Sequence, residues 1–162
     1  NINIIHMDAR VALGKQRVNS FDVIVGDVFH DISVPYHLTT KEYNKLVKSR
    51  LKPGGLYLLN VVDTHPDPLL VKSIYKTLSV DFKHVHILLK QIPDSSKRTT
   101  YVITASDTYK PPVKLNAKRG FRLRNWQRVT QQIISNGIAV NRLPVLSDRF
   151  APVEKLVSRL LF

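Results

Sequence analysis

Apolar runs that end in a carboxylate occur twice near the start of the chain. Residues 2–7 are rich in β-branched side chains and end at Asp8, and residues 21–26 end at Asp27. The second run does not alternate between apolar and polar positions, as expected of a strand buried on both faces of a parallel sheet. The pattern therefore predicts two strands, each with an acid at its carboxyl end.

Helical patterns follow these strands. Residues 39–51 combine a Thr-Thr-Lys-Glu capping box with apolar positions at helical spacing, and a Pro-Gly-Gly stop comes after them. Residues 56–62 are apolar throughout and predict a third strand. Asp67 and Pro68 are typical of a helix start, and this second helix is expected to reach about residue 80.

The second half of the chain has a different pattern. Residues 84–90 and 99–106 predict two strands, and the short turn between them favours an antiparallel pair. No acidic residue occurs from 108 to 147, and a helix is predicted from about 125 to 135. We expect one partial domain over residues 1–162, with an α/β core at 1–107 and a basic helical extension at 108–162. Its sheet is expected to be mostly parallel, with a C-terminal antiparallel hairpin.

The charge balance limits the classes of partner. The chain has 25 Lys and Arg against 12 Asp and Glu, a formal net charge of +13. Such a surface favours anions, including nucleic acid, and repels a polycation at long range. The absence of cysteine excludes disulfides and thiolate chemistry. No apolar run is long enough to span a bilayer and no signal peptide opens the chain, so we expect a cytoplasmic protein without a membrane segment.

Four stretches of the chain, taken in order, resemble the spermidine synthase family and its bacterial spermidine-synthase-like relatives. They are the His-Met-Asp-Ala-Arg run at 6–10, the strand and its continuation at 21–29, the segment 34–43 that continues through 51–55, and the segment 146–154. Their order and spacing over nearly the whole chain carry the match.

The resemblance implies a fold and a chemistry. The fold is a Rossmann-like S-adenosylmethionine-dependent methyltransferase core, in which ligands lie beyond the carboxyl ends of the strands. Asp8, with its neighbour Ala9, matches the position that holds the adenine of S-adenosylmethionine or its decarboxylated form. Asp27 matches the catalytic acid that deprotonates and orients the attacking amine. A carboxylate suits both tasks, because it accepts hydrogen bonds from N–H groups and can take a proton.

The chain also departs from the family pattern. Where classical spermidine synthases have a second acid it has His30, and Asp31 follows; both are candidate substrate-binding residues. None of the six glycines forms the family's glycine-rich cofactor loop. We expect that loop to precede Asn1, which would make the sequence a domain truncated at its N-terminus and inactive alone. Residues 2–7, a second copy of the chain or a preceding segment would then cover the Asp27 strand.

The resemblance implies a transferase that acts on a small-molecule amine, but the sequence also allows other functions. Either acid could simply cap the turn that follows its strand. The basic region beyond residue 108 supports an alternative, a non-catalytic module that binds nucleic acid. No metal is expected, because no carboxylate or third histidine completes a ligand set around the alternating pair His84 and His86. Packing or exposure is the favoured role of the histidines, His6, His30, His37, His65, His84 and His86.

Overall fold

The computed structural model describes residues 2–27, 35–119 and 122–158. Within them, six strands form one sheet in the order β1-β2-β4-β3-β6-β5. The strands are β1 Phe21–Gly26, β2 Leu51–His65, β3 His84–Leu89, β4 Lys97–Ser106, β5 Lys114–Arg119 and β6 Arg122–Arg128. The α-helices are α1 Ala9–Gly14, α2 Lys41–Arg50, α3 Leu69–Leu78, α4 Thr130–Ser135 and α5 Val153–Val157, with 3₁₀ turns at Tyr36–Leu38 and Val140–Arg142.

The predicted α/β class is confirmed, and the sheet is less parallel than expected. Strands β1 and β2 are parallel, whereas β2 and β3 each pair antiparallel with β4, which lies between them. The antiparallel hairpin of β3 and β4 is thus confirmed. The parallel fraction was overestimated because β4 and its hairpin partner lie beside β2 and extend the sheet in antiparallel register.

The strand predicted for residues 2–7 is not formed. This segment has no regular secondary structure and pairs with no strand of the described chain, and Ile2 is 94% exposed. A strand needs a neighbour to satisfy its backbone N–H and C=O groups, so β-branched residues alone do not produce one.

The helix predicted from residue 125 begins at Thr130, because Arg122–Arg128 is strand β6. This strand pairs with β5 in a hairpin, with Leu115 opposite Trp126. The alternation of Leu115 and Ala117 with polar neighbours is a strand signal that the helical spacing of later apolar residues concealed. The basic extension is therefore not wholly helical, and two of its strands continue the sheet of the core.

The core lies between one face of the sheet and the helices α2 and α3. Tyr57, Leu59 and Val61 alternate along β2 as buried residues, whereas the residues between them are only partly buried. The helices bury Val47, Leu70, Ile74 and Leu78 against this face. No helix among the described residues is long and apolar enough to cross a bilayer.

The start of α2 differs from the predicted capping box. Thr40 is the N-cap, and its hydroxyl accepts a hydrogen bond from the Tyr43 N–H at 3.3 Å. The Thr39 hydroxyl instead donates to the carbonyl of Tyr36 at 2.7 Å. Glu42 accepts from the backbone N–H of Asp148 at 3.0 Å. The acid expected to close the box therefore connects α2 to the C-terminal part of the chain.

A buried lysine holds α3 against the segment that follows α4. Lys72 is fully buried, and its ammonium contacts Asp67 and the carbonyls of Asn136 and Ile138. The N–H of Ile138 in turn donates to Asp67 at 3.1 Å. When one partner of such an ion pair is removed, the other charge is left without it and the folded state is destabilised.

We expect Lys72→Met to lower the free energy of unfolding by up to about 3 kcal/mol, because the largely buried Asp67 would lose the ammonium with which it pairs. Urea denaturation of the purified chain measures this loss. Lys76→Met is the matched control on the same helix, since the Lys76 ammonium also binds carbonyls, those of Asn141 and Leu143, but pairs with no carboxylate of the described residues. Equal losses in the two variants would contradict the prediction.

Candidate active site

Asp8 lies at the start of α1 and is held on both carboxylate oxygens. One oxygen accepts from the Val11 N–H at 3.0 Å, and the other lies 2.8 Å from Nε2 of His37. The hydrogen bond from Val11 is the main reason that the pKa of Asp8 is lowered, and the bond to His37 adds to it. Asp8 is thus both a helix cap and an exposed, ionised carboxylate. Ala9 follows it as the exposed first residue of α1.

His37 is a site neighbour that the sequence reading missed. It lies in the 3₁₀ turn Tyr36–Leu38, and its ring meets that of Tyr36 edge-on at 5.8 Å between centroids. Its separation from Asp8 by 29 positions concealed the contact. A usable signal was its position inside one of the stretches that carry the family resemblance.

A second acid, Asp148, joins three separate segments beneath Asp8. Arg10 donates to its two oxygens at 2.8 and 2.7 Å, and the Thr40 hydroxyl donates to it at 2.7 Å. The Arg10 bond is the main reason that the pKa of Asp148 falls to about 2. Arg10 also donates to the carbonyl of His37 at 3.2 Å, so the same guanidinium positions the residue that contacts Asp8.

Asp27 is exposed and directly follows the last residue of β1, Gly26. A Cβ on Gly26 would lie 2.7 Å from Leu59 and 2.9 Å from the hydroxyl of Tyr57, so only glycine lets β1 approach β2 this closely. The strand therefore brings Asp27 to the carboxyl edge of the sheet, one residue after the close contact of Gly26 with the Tyr57 phenol.

Tyr43 and Tyr57 are both buried in the core. Burial raises the pKa of Tyr43, and the charge of Asp8 raises it further. Burial likewise raises the pKa of Tyr57, with Tyr43 as the second cause. The charge of Asp8 thus acts on Tyr43, and the Tyr57 hydroxyl lies against Gly26, the residue before Asp27. The predicted residues His30 and Asp31 lie outside the described residues.

The carboxyl end of β2 carries a further acid, Asp63, which sequence reasoning did not single out. It is 2% exposed, and its oxygens accept from the N–H groups of Thr64 at 2.7 Å and Val71 at 3.0 Å. Burial raises the pKa of Asp63 to about 6. Nearby, the Tyr101 hydroxyl lies 3.3 Å from Nδ1 of His65. The signal for this acid was its place near the end of an apolar run in the sequence, as for Asp8 and Asp27.

Metal ligands do not converge in the part of the chain that the structure describes, where no group of three or more His, Asp or Glu residues could hold an ion. The exposed acceptors here are instead the carboxylates of Asp8 and Asp27, which suit N–H donors and a cationic ligand.

The chain is similar in sequence and in fold to known proteins. A probable polyamine aminopropyl transferase from Bifidobacterium longum is 22% identical over 153 residues, which cover 85% of this chain and 34% of that protein. A probable spermidine synthase from Corynebacterium glutamicum superposes with a TM-score of 0.62 at 23% identity, covering 85% of this chain and 55% of its own. The chain has the fold of the spermidine synthases. The resemblance indicated by the sequence is thereby confirmed, although no family model matches the chain.

A spermidine synthase crystallised with the transition-state analogue AdoDATO also has this fold, with a TM-score of 0.54 and 24% identity over 65% of the chain. The chain spans about a third of the length of its curated relative and about half that of the Corynebacterium structure.

We expect Gly26→Ala to lower the free energy of unfolding by about 1–3 kcal/mol, because the new methyl group must displace the buried Leu59 and Tyr57. Gly14→Ala is the matched control. Its Cβ would have no neighbour within 4 Å, and it ends helix α1. It should therefore be neutral or stabilising by about 0.4–1 kcal/mol. Thermal and urea denaturation compare the two, and equal stability of both variants would contradict the proposed close approach.

Asp63 should give stability an unusual pH dependence. Its folded-state pKa of about 6 lies above the ordinary value of 3.8, so the folded protein binds more protons between those pH values. The contribution of Asp63 to the free energy of unfolding is therefore greatest below about pH 4. It falls by about 3 kcal/mol as the pH rises through 6.

Asp63→Asn is expected to be less stable in general, because the amide has a single acceptor oxygen for the two N–H groups, but to lack this fall with pH. Urea denaturation between about pH 4 and pH 7 measures the difference from the wild-type chain. Asp22→Asn, which changes an exposed acid, should keep the wild-type pH dependence. An unchanged dependence in Asp63→Asn would contradict the assignment.

Proposed function

We propose that the chain is part of a transferase that moves an aminopropyl or methyl group from a sulfonium nucleoside to a small-molecule amine. The observation that carries this proposal is the exposed Asp27 directly after β1, on a sheet with the spermidine synthase fold. In such open sheets, ligands bind beyond the carboxyl ends of the strands. S-adenosylmethionine or its decarboxylated form is the proposed cofactor, and no metal is required.

The residues around Asp8 fit an adenine amino group. The carboxylate is ionised and exposed, and the Val11 N–H and His37 use only part of its acceptor capacity. A carboxylate has about four lone-pair positions, so acceptor positions remain for an amino group. Arg10 and Asp148 fix the surroundings by positioning His37.

Asp27 is proposed to act on the amine. The sulfonium nucleoside supplies an electrophilic carbon next to its sulfur when bound. The Asp27 carboxylate orients the amine nitrogen and takes its proton while the carbon–nitrogen bond forms; the carbon–sulfur bond breaks, and its electron pair remains on sulfur. The positive net charge of this chain does not attract a polyamine, so local acids are what would recognise the substrate.

Strand β1 lies at the edge of the sheet and exposes apolar side chains, which suggests that another segment or chain packs against it. Val23 is 48% exposed and Val25 is 62% exposed, although the sequence is that of a strand buried on both faces. We propose that a further segment of the protein or a second copy of the chain covers this edge and completes the cofactor site. On this proposal the chain alone neither binds the nucleoside nor turns over.

Asp27→Asn in the complete protein is expected to lower kcat by about 10²–10⁴-fold while nucleoside affinity stays unchanged, because the amide keeps the shape but cannot accept the proton. Turnover assays and calorimetry with the nucleoside measure these separately.

Asp22→Asn serves as the matched control, since Asp22 lies on the same strand and pairs with Lys52 at 2.8 Å, away from the carboxyl edge. Its turnover should match the wild type. Loss of nucleoside binding in Asp27→Asn, or wild-type turnover, would refute the assigned role.

Nucleic-acid binding through the β5–β6 hairpin is a second candidate function. It is supported by Lys114 and Arg124, both exposed on strands that lie at the edge of the sheet in a region without acids. A two-stranded ribbon of this kind can follow a phosphate backbone. Binding to an oligonucleotide that weakens steeply with salt would support it, and no retention at low salt would exclude it.

A further inference from the structure

A cavity of about 660 Å³ opens beside the first half of β3. Strand β6 pairs with β3 only near the end of β3. The chain then continues from β6 into α4 and leaves the first half of β3 uncovered at this point. Polar side chains line much of the wall, among them His84, His86, Lys110, Arg128, Gln131 and Gln132.

The cavity lies away from the candidate active site. Strands β2 and β3 both run antiparallel to β4, so they run in the same direction. His84 opens β3, whereas Asp27 and Asp63 lie at or near the carboxyl ends of β1 and β2. The cavity is therefore at the opposite edge of the sheet and takes no part in the proposed transfer.

Its charges have one sign. No carboxylate is among the described residues that line it. Neither Lys110 nor Arg128 is in an ion pair of the described chain, and no acid occurs in the sequence from 108 to 147. The Arg128 guanidinium donates to the carbonyl of Pro111 at 2.9 Å, which fixes it at the cavity wall. Two basic side chains, of which Arg128 is fixed in place, therefore lie here without a counter-charge among the described residues.

His86 shows that these charges converge. Its Nε2 is buried and has no hydrogen-bond partner in the described residues. Burial lowers the pKa of His86, and the charges of Arg128, His84 and Lys110 lower it further. Arg128 and Lys110 thus act on one point of the wall, and a negative charge placed there would be stabilised by both of them.

We propose that this cavity binds the phosphate group of a phosphate-bearing ligand. A guanidinium and an ammonium are the side-chain groups that most often hold phosphate, and the two histidines and two glutamines add N–H donors. The cavity volume admits a phosphate together with part of the molecule that carries it. Two sources share this chemistry, a free phosphate ester and the backbone of a nucleic acid.

The test is a titration of the chain with inorganic phosphate, followed by the NMR signals of the histidine rings. We expect the signals of His84 and His86 to move in a saturable manner, while those of His65, at the other edge of the sheet, stay in place. Binding should also raise the pKa of His86.

Lys110→Gln is expected to weaken phosphate binding by about threefold to tenfold, as loss of one partly exposed charge contact implies. Lys90→Gln is the matched control, since Lys90 is an exposed cation just after the other end of β3 and outside the cavity. It should leave binding unchanged. Equal weakening in both variants, or no movement of the His86 signals, would overturn the proposal.

A single-stranded oligonucleotide separates the two sources. If it displaces phosphate, and Lys110→Gln lowers its salt slope by about one, the ligand is a nucleic-acid backbone. If phosphate binds and the oligonucleotide does not displace it, the ligand is a free phosphate ester. Either result supports the site, because both place phosphate in the cavity.

Discussion

The arrangement of the candidate site depends on one acid, Asp148, which joins three parts of the chain. Its side chain binds Arg10 at the start of α1 and Thr40 at the start of α2, and its backbone N–H binds Glu42. An exposed ion pair of this kind contributes little to stability. Its effect is geometric, because the shared Arg10 also holds the turn that brings His37 to Asp8.

The positions of the twelve acids along the chain determine where its excess positive charge lies. Several are used in contacts that position the core and the candidate site, including the Lys72–Asp67 pair and the Lys48–Asp107 pair at 2.7 Å. The region from 108 to 147 has no acid at all, so its cations have no counter-charge nearby in sequence. The excess positive charge therefore gathers on the hairpin strands and around the basic cavity, away from Asp8 and Asp27.

The sequence predicted features that depend on local pattern. The strand before Asp27, helices α2 and α3, and the antiparallel pair of β3 and β4 were all readable from apolar spacing and turn residues. Features that depend on a distant partner were not. Residues 2–7 lack a neighbouring strand, and Arg10 meets Asp148 across 138 positions. Residues 125–128 had a helical pattern, but pairing with β5 decided their conformation.

The site and the bare edge of the sheet involve the same strand. Gly26 lets β1 approach the Tyr57 phenol, and this close approach brings Asp27 to the carboxyl edge of the sheet. The same strand leaves Val23 and Val25 exposed on one face, and apolar residues of the segment 2–7 are exposed as well. A covering segment would bury these side chains and pair the backbone groups of β1. Because β1 carries Asp27 at its end, the interaction that stabilises this edge would also fix the position of the proposed catalytic acid.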